Sequence, residues 1–563
     1  VNNGIFVQDS YDSKVSFESQ SIKGLFGNPT LVPLPYSCSF NRWDPNKLVY
    51  VIDTRLQSST TITFMTSNLT YTIDWGDGYV QSVSVTSAYA SIPHAYASHG
   101  VYIIQTDNVN NPIIGGASLI AILSFGTFPS NGSLIYSAGG GGSFASSSNL
   151  LFVPSNLPAH NSLDLGLAFN NAFRLNDRNI SLWDTSKVTT MRYLFQNNRV
   201  FNQPLNSWDT SNVTSMQGMF AGALSFNQDL NNWNVRKVTL FDSMFAGATN
   251  FNGSLIGWEV GADTAGTSCA YMFNNCRNFN QDLNSWNVSK VTNFAHMFNG
   301  ASSFNQSLSS WNTISATSTG MDSMFVNAVA FNGDVGNFNT TNVTSFGNMF
   351  NTATSFNKPI SNWNVSNVTI TANMFLNATS FNQSLDNWNV RKCTNMNGMF
   401  YGTNSFNSSL NNWSPGLDST GVDCGQMFRN ARSFNQNLTS WNVSKVTNMS
   451  NMFLCDGIPG GNVPSAFQGD ISNWNLAGLN ASTSLDNFMS GKNLTDRYST
   501  ANYDALLIGW NNNKLAAANG VANWRTDLRP HFGGARYTSG GAAATARAAL
   551  VSYGWTITDG GVA

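Results

Sequence analysis

The strongest constraint on this chain is a sentence of about 25 residues written roughly twelve times between 170 and 489. One copy reads FNQPLNSWDTSNVTSMQGMF (201–220), and the next reads FNQDLNNWNVRKVTLFDSMF (226–245). Its tryptophan recurs at Trp183, Trp208, Trp233, Trp258, Trp286, Trp311, Trp363, Trp388, Trp413, Trp441 and Trp474, with Phe338 in the vacant slot. A fixed period in this range marks a solenoid. With Trp as position zero, apolar residues recur at +5 (Val), +8 (usually Met), +11 and +12 (Met-Phe), +18 (Phe) and +22 (Leu). Helix pairs would need a 3.6-residue spacing throughout, and Asn-Gln-x-Leu-x-x-Trp-Asn is a poor helix former. A propeller blade needs about 40 residues. A coil with a short strand and a helical turn over VTxMxxMF, and an irregular side over FNQxLxxW, fits best. The Trp, Phe, Met and Leu positions then form one core running from coil to coil.

A second recurrence is polar. Asparagine follows the repeat Phe at Asn202, Asn227, Asn252, Asn280, Asn305, Asn332, Asn357, Asn382, Asn407 and Asn435. A buried amide can bond the backbone of the adjacent coil and satisfy turns that no sheet would satisfy. These residues are therefore read as a structural ladder. Steps of 28 residues (Trp258 to Trp286, Trp413 to Trp441) and of 33 (Trp441 to Trp474) place most insertions on one edge of the coil.

The block FNQ-x-L-x-x-W-[DN]-x-S-x-VT-x-M-x-x-MF resembles the BspA-like (DUF285) repeats, irregular relatives of leucine-rich repeats found on bacterial surface proteins and in microbial eukaryotes. NYDALLIGW (502–510) and ARAALVSYGWTITDGG (546–561) look like that family's carboxy-terminal cap. The residues themselves read alike: two amphipathic helical segments near 500–511 and 541–553, then a strand over WTIT, make a lid for the last coil. No recognisable anchor follows TDGG, which puts covalent attachment to a wall or membrane in doubt.

Residues 41–137 read as an all-β domain, with β-branched runs (LVYVIDT, TTITFMT, LTYTIDW, VYIIQTD) between turn residues. TIDWGDG (72–78) and HAYASHGVYII (94–104) resemble the PKD-type immunoglobulin-like fold. Asp74 and Asp77 could be a calcium pair but are better read as turn-forming aspartates. Tyr96 is a candidate for the tyrosine-corner role of such sandwiches. Residues 138–168 are a Gly/Ser-rich connector and leading cap. Residues 1–40 show loose strand-like alternation without a local partner. Such a segment either folds back on its own chain or completes another molecule's sheet.

The fold class expected is thus mainly β with short helices. An Ig/PKD-like β-sandwich (41–137) precedes an irregular, right-handed leucine-rich-repeat-like solenoid of about twelve 25-residue coils (169–490) and an α/β cap (491–563).

The chain carries 27 basic and 29 acidic residues, and only 10 % of it is charged, so nucleic acid and anionic membranes, which call for a basic patch, are not expected partners. No apolar run reaches the roughly 18–20 residues of a transmembrane segment. The chain begins at Val1 without a signal peptide, as a processed, secreted chain would, so an extracellular or cell-surface location is expected. Six cysteines (Cys38, Cys269, Cys276, Cys393, Cys424, Cys455) show no zinc spacing and read mostly as small core residues. The five histidines are scattered, and no nucleophile elbow, P-loop or dinucleotide fingerprint occurs, so neither an enzyme nor a cofactor is expected.

Twenty N-x-S/T sequons occur, part of them an accident of an Asn/Ser/Thr-rich repeat. Glycosylation candidates are Asn68, Asn131, Asn179, Asn212, Asn287, Asn342, Asn364, Asn367, Asn442 and Asn480, several of them at Trp+1 or Trp+4, where copies vary. The expected function is an extracellular structural or adhesive repeat protein, with a head-to-tail homopolymeric glycosylated fibril as one assembly. The alternative is a module that recognises glycans or host or matrix proteins along one solenoid face. Out-of-register aromatics such as Tyr193, Tyr271 and Tyr401 would mark that face.

Overall fold

A computed structural model describes residues 44, 46–66, 70–84, 90–107, 116–126, 144–158, 162–260, 262–456, 465–492, 496–518 and 524–563. The candidate donor strand in 1–40, Cys38, Asn68 and Asn131 lie outside the described residues. The chain is mainly β with two α-helices among the described residues, and it divides into two compact units, Val1–Thr189 and Thr190–Ala563.

In the first unit, β1 (Leu48–Asp53), β3 (Thr70–Asp74), β4 (Val80–Ser84), β6 (Val101–Thr106) and β7 (Leu119–Phe125) form an antiparallel sheet in the order β4-β3-β6-β1-β7. β2 (Thr61–Thr66) and β5 (Ala90–Ala95) pair antiparallel as a second sheet. β1 is buried along its whole length, as expected for a strand flanked by two neighbours. Phe64 of the second sheet packs on Tyr50 and Tyr71 of the first, at 6.5 and 6.0 Å between ring centres. The turn after β3 needs glycine twice: Gly76 and Gly78 have φ of 78° and 92°, and a side chain at Gly76 would strike the Ile103 carbonyl. Asp74 and Asp77 are turn formers here, each accepting the backbone N–H two residues on, from Gly76 (3.0 Å) and Tyr79 (3.1 Å). Asp77 also pairs with His94 at 2.7 Å. Farther along this unit, Phe144 N–H bonds Ala168 C=O and Ser146 N–H bonds Asn170 C=O. This is the bonding pattern of the later repeats, already present at the edge of the Gly/Ser-rich stretch.

In the second unit, each repeat bonds to the next through alternate residues. The N–H groups of Met216, Gly218, Phe220 and Gly222 reach the carbonyls of Leu240, Asp242, Met244 and Ala246. The expected helical turn over VTxMxxMF is instead a run of three overlapping β-turns, with Met219 N–H on Met216 C=O, Ala221 N–H on Gly218 C=O and Ala223 N–H on Phe220 C=O. A helix would spend these N–H groups within the repeat, whereas the turns leave alternate ones free to bond the neighbour. The third residue of the first and of the last turn is left-handed, Gly218 at φ 59° and Gly222 at φ 71°.

Side chains stack in the same register. The Trp column, with Phe338 in its gap, shows ring-centre spacings of 5.8–6.4 Å between neighbours from Trp208 to Trp388. From Trp233 onward each indole N–H donates to the carbonyl three residues before the previous Trp position, as Trp233 does to Leu205 (2.8 Å) and Trp258 to Leu230 (2.8 Å). Two Phe columns run beside it, at 5.6 Å between Phe220 and Phe245 and 5.8 Å between Phe226 and Phe251.

After the last copy, α1 (Thr500–Ala518) and α2 (Ala542–Ser552) pack together. Trp510 on α1 donates its indole N–H to Ile471 C=O (3.1 Å), the bond a further repeat tryptophan would make. Tyr498 stacks on Phe467 at 6.1 Å and extends the second Phe column by one ring. The strand expected over WTIT is reduced to a bridge between Thr558 and His531.

Candidate binding face

The tandem turns bury Val, Met and Phe and turn the residues between them outward. The residue before each Met-Phe pair is left-handed in every copy from 218 on: Gly218, Ser243, Tyr271, His296, Ser323, Asn348, Asn373, Gly398, Gln426 and Asn451. Glycine and asparagine tolerate that conformation, but Tyr271 (φ 58°) and His296 (φ 57°) are bulky outliers, held there because the inter-repeat bonds fix the backbone. Their rings stack at 4.4 Å and 6°, and Tyr271 is 43 % exposed. Asn299 Nδ2 lies 3.2 Å from His296 Nδ1. Burial lowers the His296 pKa, with Asp322 opposing. Burial raises the Asp322 carboxyl against hydrogen bonds from Ser345 and Gly347. The other out-of-register aromatics lie in the same segment. Tyr193 covers Gly218, where a side chain would strike its ring, and Arg429 sits 5.0 Å over the Tyr401 ring.

Farther along the face lies a polar groove of about 540 Å³. Leu479 and Leu485 occupy the Val and Met slots but stand six residues apart, where Val446 and Met449 stand three apart. The additional residues within 480–484 bulge and wall the groove against Asn448. On its other side Asp423 accepts from Gly425 N–H (2.8 Å), Asn448 Nδ2 (2.8 Å) and Asn397 Nδ2 (3.2 Å). A Cβ at Gly425 would come within 3.0 Å of all three side chains, so glycine leaves the space that lets the two amides converge. Arg529 Nη2 binds Asp486 Oδ2 at 2.8 Å and Arg525 Nη1 binds Asn480 C=O at 3.1 Å, which braces the wall from the cap.

The asparagines after each repeat Phe connect in series. Asn202 Oδ1 accepts Asn227 N–H (2.9 Å), and the relay continues through Asn252, Asn280, Asn305, Asn332, Asn357, Asn382 and Asn407 to Asn435. These residues are not buried as expected: Asn227, Asn252, Asn305, Asn382, Asn407 and Asn435 are exposed, and Asn202, Asn280, Asn332 and Asn357 half-buried. The preceding Phe turns inward, so its neighbour must turn outward, and the amide oxygen folds back along the rim.

Of the described sequon candidates, Asn212, Asn287, Asn342, Asn364, Asn367, Asn442 and Asn480 are exposed and Asn179 half-buried. The Trp+1 residues Asn287, Asn364 and Asn442 accept from the hydroxyl of their own sequon serine, at 2.8, 2.7 and 2.7 Å. The Trp+4 residues Asn342 and Asn367 instead donate Nδ2 to Ile314 C=O (3.0 Å) and Thr341 C=O (3.1 Å). Asn179 donates Nδ2 to Val153 C=O (2.9 Å).

Among the described residues no group of three or more His, Cys, Asp or Glu is placed to hold a metal. The five described cysteines are buried, and burial pushes the Cys393 thiol up to about 12. Among the described residues no helix is long and apolar enough to cross a membrane.

A pair of arginine arms escaped the sequence reading. Arg236 binds Asp263 (2.7 Å) and Glu259, and Arg391 binds Asp418 (2.7 Å), so each arm clasps the insertion of a 28-residue step. The signal was present: Asn-Val-Arg-Lys occurs at 234–237 and 389–392, one repeat before each such step.

No curated protein and no solved structure matches the chain. The family model described as "Mycoplasma protein of unknown function, DUF285" matches residues 163–267, 262–320, 316–413 and 418–505, more than half of the sequence. The chain belongs to the DUF285 family of BspA-like repeat proteins.

Proposed function

We propose that this chain is an extracellular or cell-surface structural and adhesive repeat protein, in which an Ig/PKD-like sandwich is followed in the sequence by a leucine-rich-repeat-like solenoid of about twelve coils. The carrying observation is the continuity of bonding from copy to copy. Backbone, indole and asparagine ladders hold one face constant while the residue before each Met-Phe pair varies. A constant frame with variable outward side chains suits adhesion better than chemistry. The two packed sheets, and the Tyr96 hydroxyl donating to Trp75 C=O at 2.9 Å, support the sandwich reading. Surface plasmon resonance of the purified chain against immobilised glycans and matrix proteins, with electron microscopy for filaments, tests the proposal. Neither binding nor assembly by the native protein would overturn it.

The recognition-module reading draws on Tyr193, Tyr271, His296 and Tyr401 lying in one outward segment. Tyr271→Ser with Tyr401→Ser should weaken any ligand of that face and spare the fold. The homopolymer reading rests on the sequence of residues 1–40. Deleting residues 1–20 should abolish assembly and leave a folded monomer, and unfolding of that monomer would count against a donated strand.

A further inference from the structure

We infer that the groove between Asn448 and the bulge 480–484 is a saccharide-binding subsite for a neutral mono- or disaccharide unit. The inference rests on the reading of this face as adhesive and deepens it. A volume of about 540 Å³ falls in the range of small-molecule sites. The ligand class follows from the polar groups left over. Asp423 is already held by Asn397, Asn448 and Gly425, one oxygen of Asp486 is held by Arg529, and among the described residues no group of three or more His, Cys, Asp or Glu is placed to hold a metal, which disfavours a divalent cation. Two lining carboxylates disfavour an anion, and only Ala481 offers an apolar side chain, which disfavours a hydrophobic ligand.

What remains open is a mixture of donors and acceptors. Asn487 Nδ2 donates to Asn451 Oδ1 at 3.3 Å, which leaves Asn451 Nδ2 as a donor and Asn487 Oδ1 as an acceptor. Ser450 and Thr483 add hydroxyls to the lining. Such groups suit a ligand whose every hydroxyl both donates and accepts. The groove owes its shape to a departure from the repeat, the additional residues at 480–484. Residues 480–483 stay outside the buried core, where a purely structural irregularity would be expected to contribute to it.

The test uses the full chain from a host without N-glycosylation, so that Asn480 on the rim is bare. Saturation-transfer NMR is run with the methyl pyranosides of glucose, galactose, mannose and N-acetylglucosamine and with their β-linked disaccharides. At least one should bind, with Kd of ~1 mM or tighter. Asn451→Ala with Asn487→Ala should weaken it about tenfold, and Thr483→Trp, which fills the groove from an exposed position, should abolish it. Circular dichroism of each variant should match the parent. No binding by the parent, or binding untouched by all of these substitutions, would overturn the inference. Adhesion retained by Thr483→Trp without saccharide binding would sink a role for the groove in adhesion and leave the adhesive reading standing.

Discussion

Replacing Trp233 by phenylalanine and by alanine separates what the indole column contributes from what its N–H contributes. Trp233 is 2 % exposed and stacks on Trp208 and Trp258 at 6.4 and 6.3 Å. Trp233→Ala removes both stacks and leaves a cavity, at a cost of about 3–5 kcal/mol. Trp233→Phe keeps a ring between the same neighbours and loses the bond to Leu205 C=O. That carbonyl still accepts Trp208 N–H at 3.0 Å, so no bare acceptor is buried and the loss is about 1 kcal/mol for the bond, plus a smaller packing term. The chain already contains this substitution at Phe338, which stacks on Trp311 and Trp363 at 6.3 and 6.1 Å. Phe338→Trp should therefore gain up to ~1 kcal/mol by adding the missing bond. Urea unfolding followed by far-UV circular dichroism gives the energies, and hydrogen exchange gives their location. Because each repeat contacts only its neighbours, Trp233→Ala should deprotect residues 201–260 first. Equal costs for the two substitutions, or protection lost evenly along the array, would refute the reasoning.

Asn305→Ala should cost about 0.5–1 kcal/mol by stranding Asn332 N–H, which Asn305 Oδ1 meets at 2.7 Å, while Asn305→Asp keeps the acceptor; exchange of the Asn332 amide reads both. Alkaline stability should depend on the buried thiols. The Cys393 thiol ionises near its ordinary value of 9.0 when unfolded, and burial pushes it up to about 12 when folded, so its contribution is intact below pH 9 and lost as pH rises from 9 to 12. Over that window the loss reaches ~4 kcal/mol, and Cys393→Val, the usual residue of that slot, should flatten it in denaturant titrations at pH 8 to 10.5. Lys492 acts oppositely: burial lowers its pKa from 10.5 to about 8, so stability is gained as pH rises between those values, and Lys492→Met should remove the gain. In a glycosylating host, glycopeptide mass spectrometry should find sugar on Asn287, Asn364 and Asn442. Sugar on Asn305 or Asn382 instead would contradict the ladder's assignment as a structural relay.

Periodicity made the buried half of the molecule legible. Trp, Met-Phe and the repeat Phe must face one way in every copy, and a recurrence at fixed spacing says so without any knowledge of the backbone. The same argument misjudged the asparagines, because an unvarying residue can be fixed from outside as firmly as from within. Asn305 holds its place by bonding along the rim. Left-handed backbone at Tyr271 and His296 was illegible, since neither residue favours that conformation and only the bonds to adjacent repeats impose it. The groove was not legible: the widening between Leu479 and Leu485 shows only once the ladder fixes which residues are equivalent.

The cap's imitation of a repeat has a consequence for how such chains change length. Trp510 and Tyr498 dock onto Ile471 C=O and the Phe467 ring, features any copy presents at its trailing edge. The lid thus reads the grammar of the array and not the identity of its last word. Excising one whole 25-residue unit, for example 226–250, leaves every remaining copy facing a neighbour in the same register. Unequal crossing-over between near-identical copies would then yield foldable proteins of many lengths, whereas a cut that is not a whole unit would leave the lid without a seat.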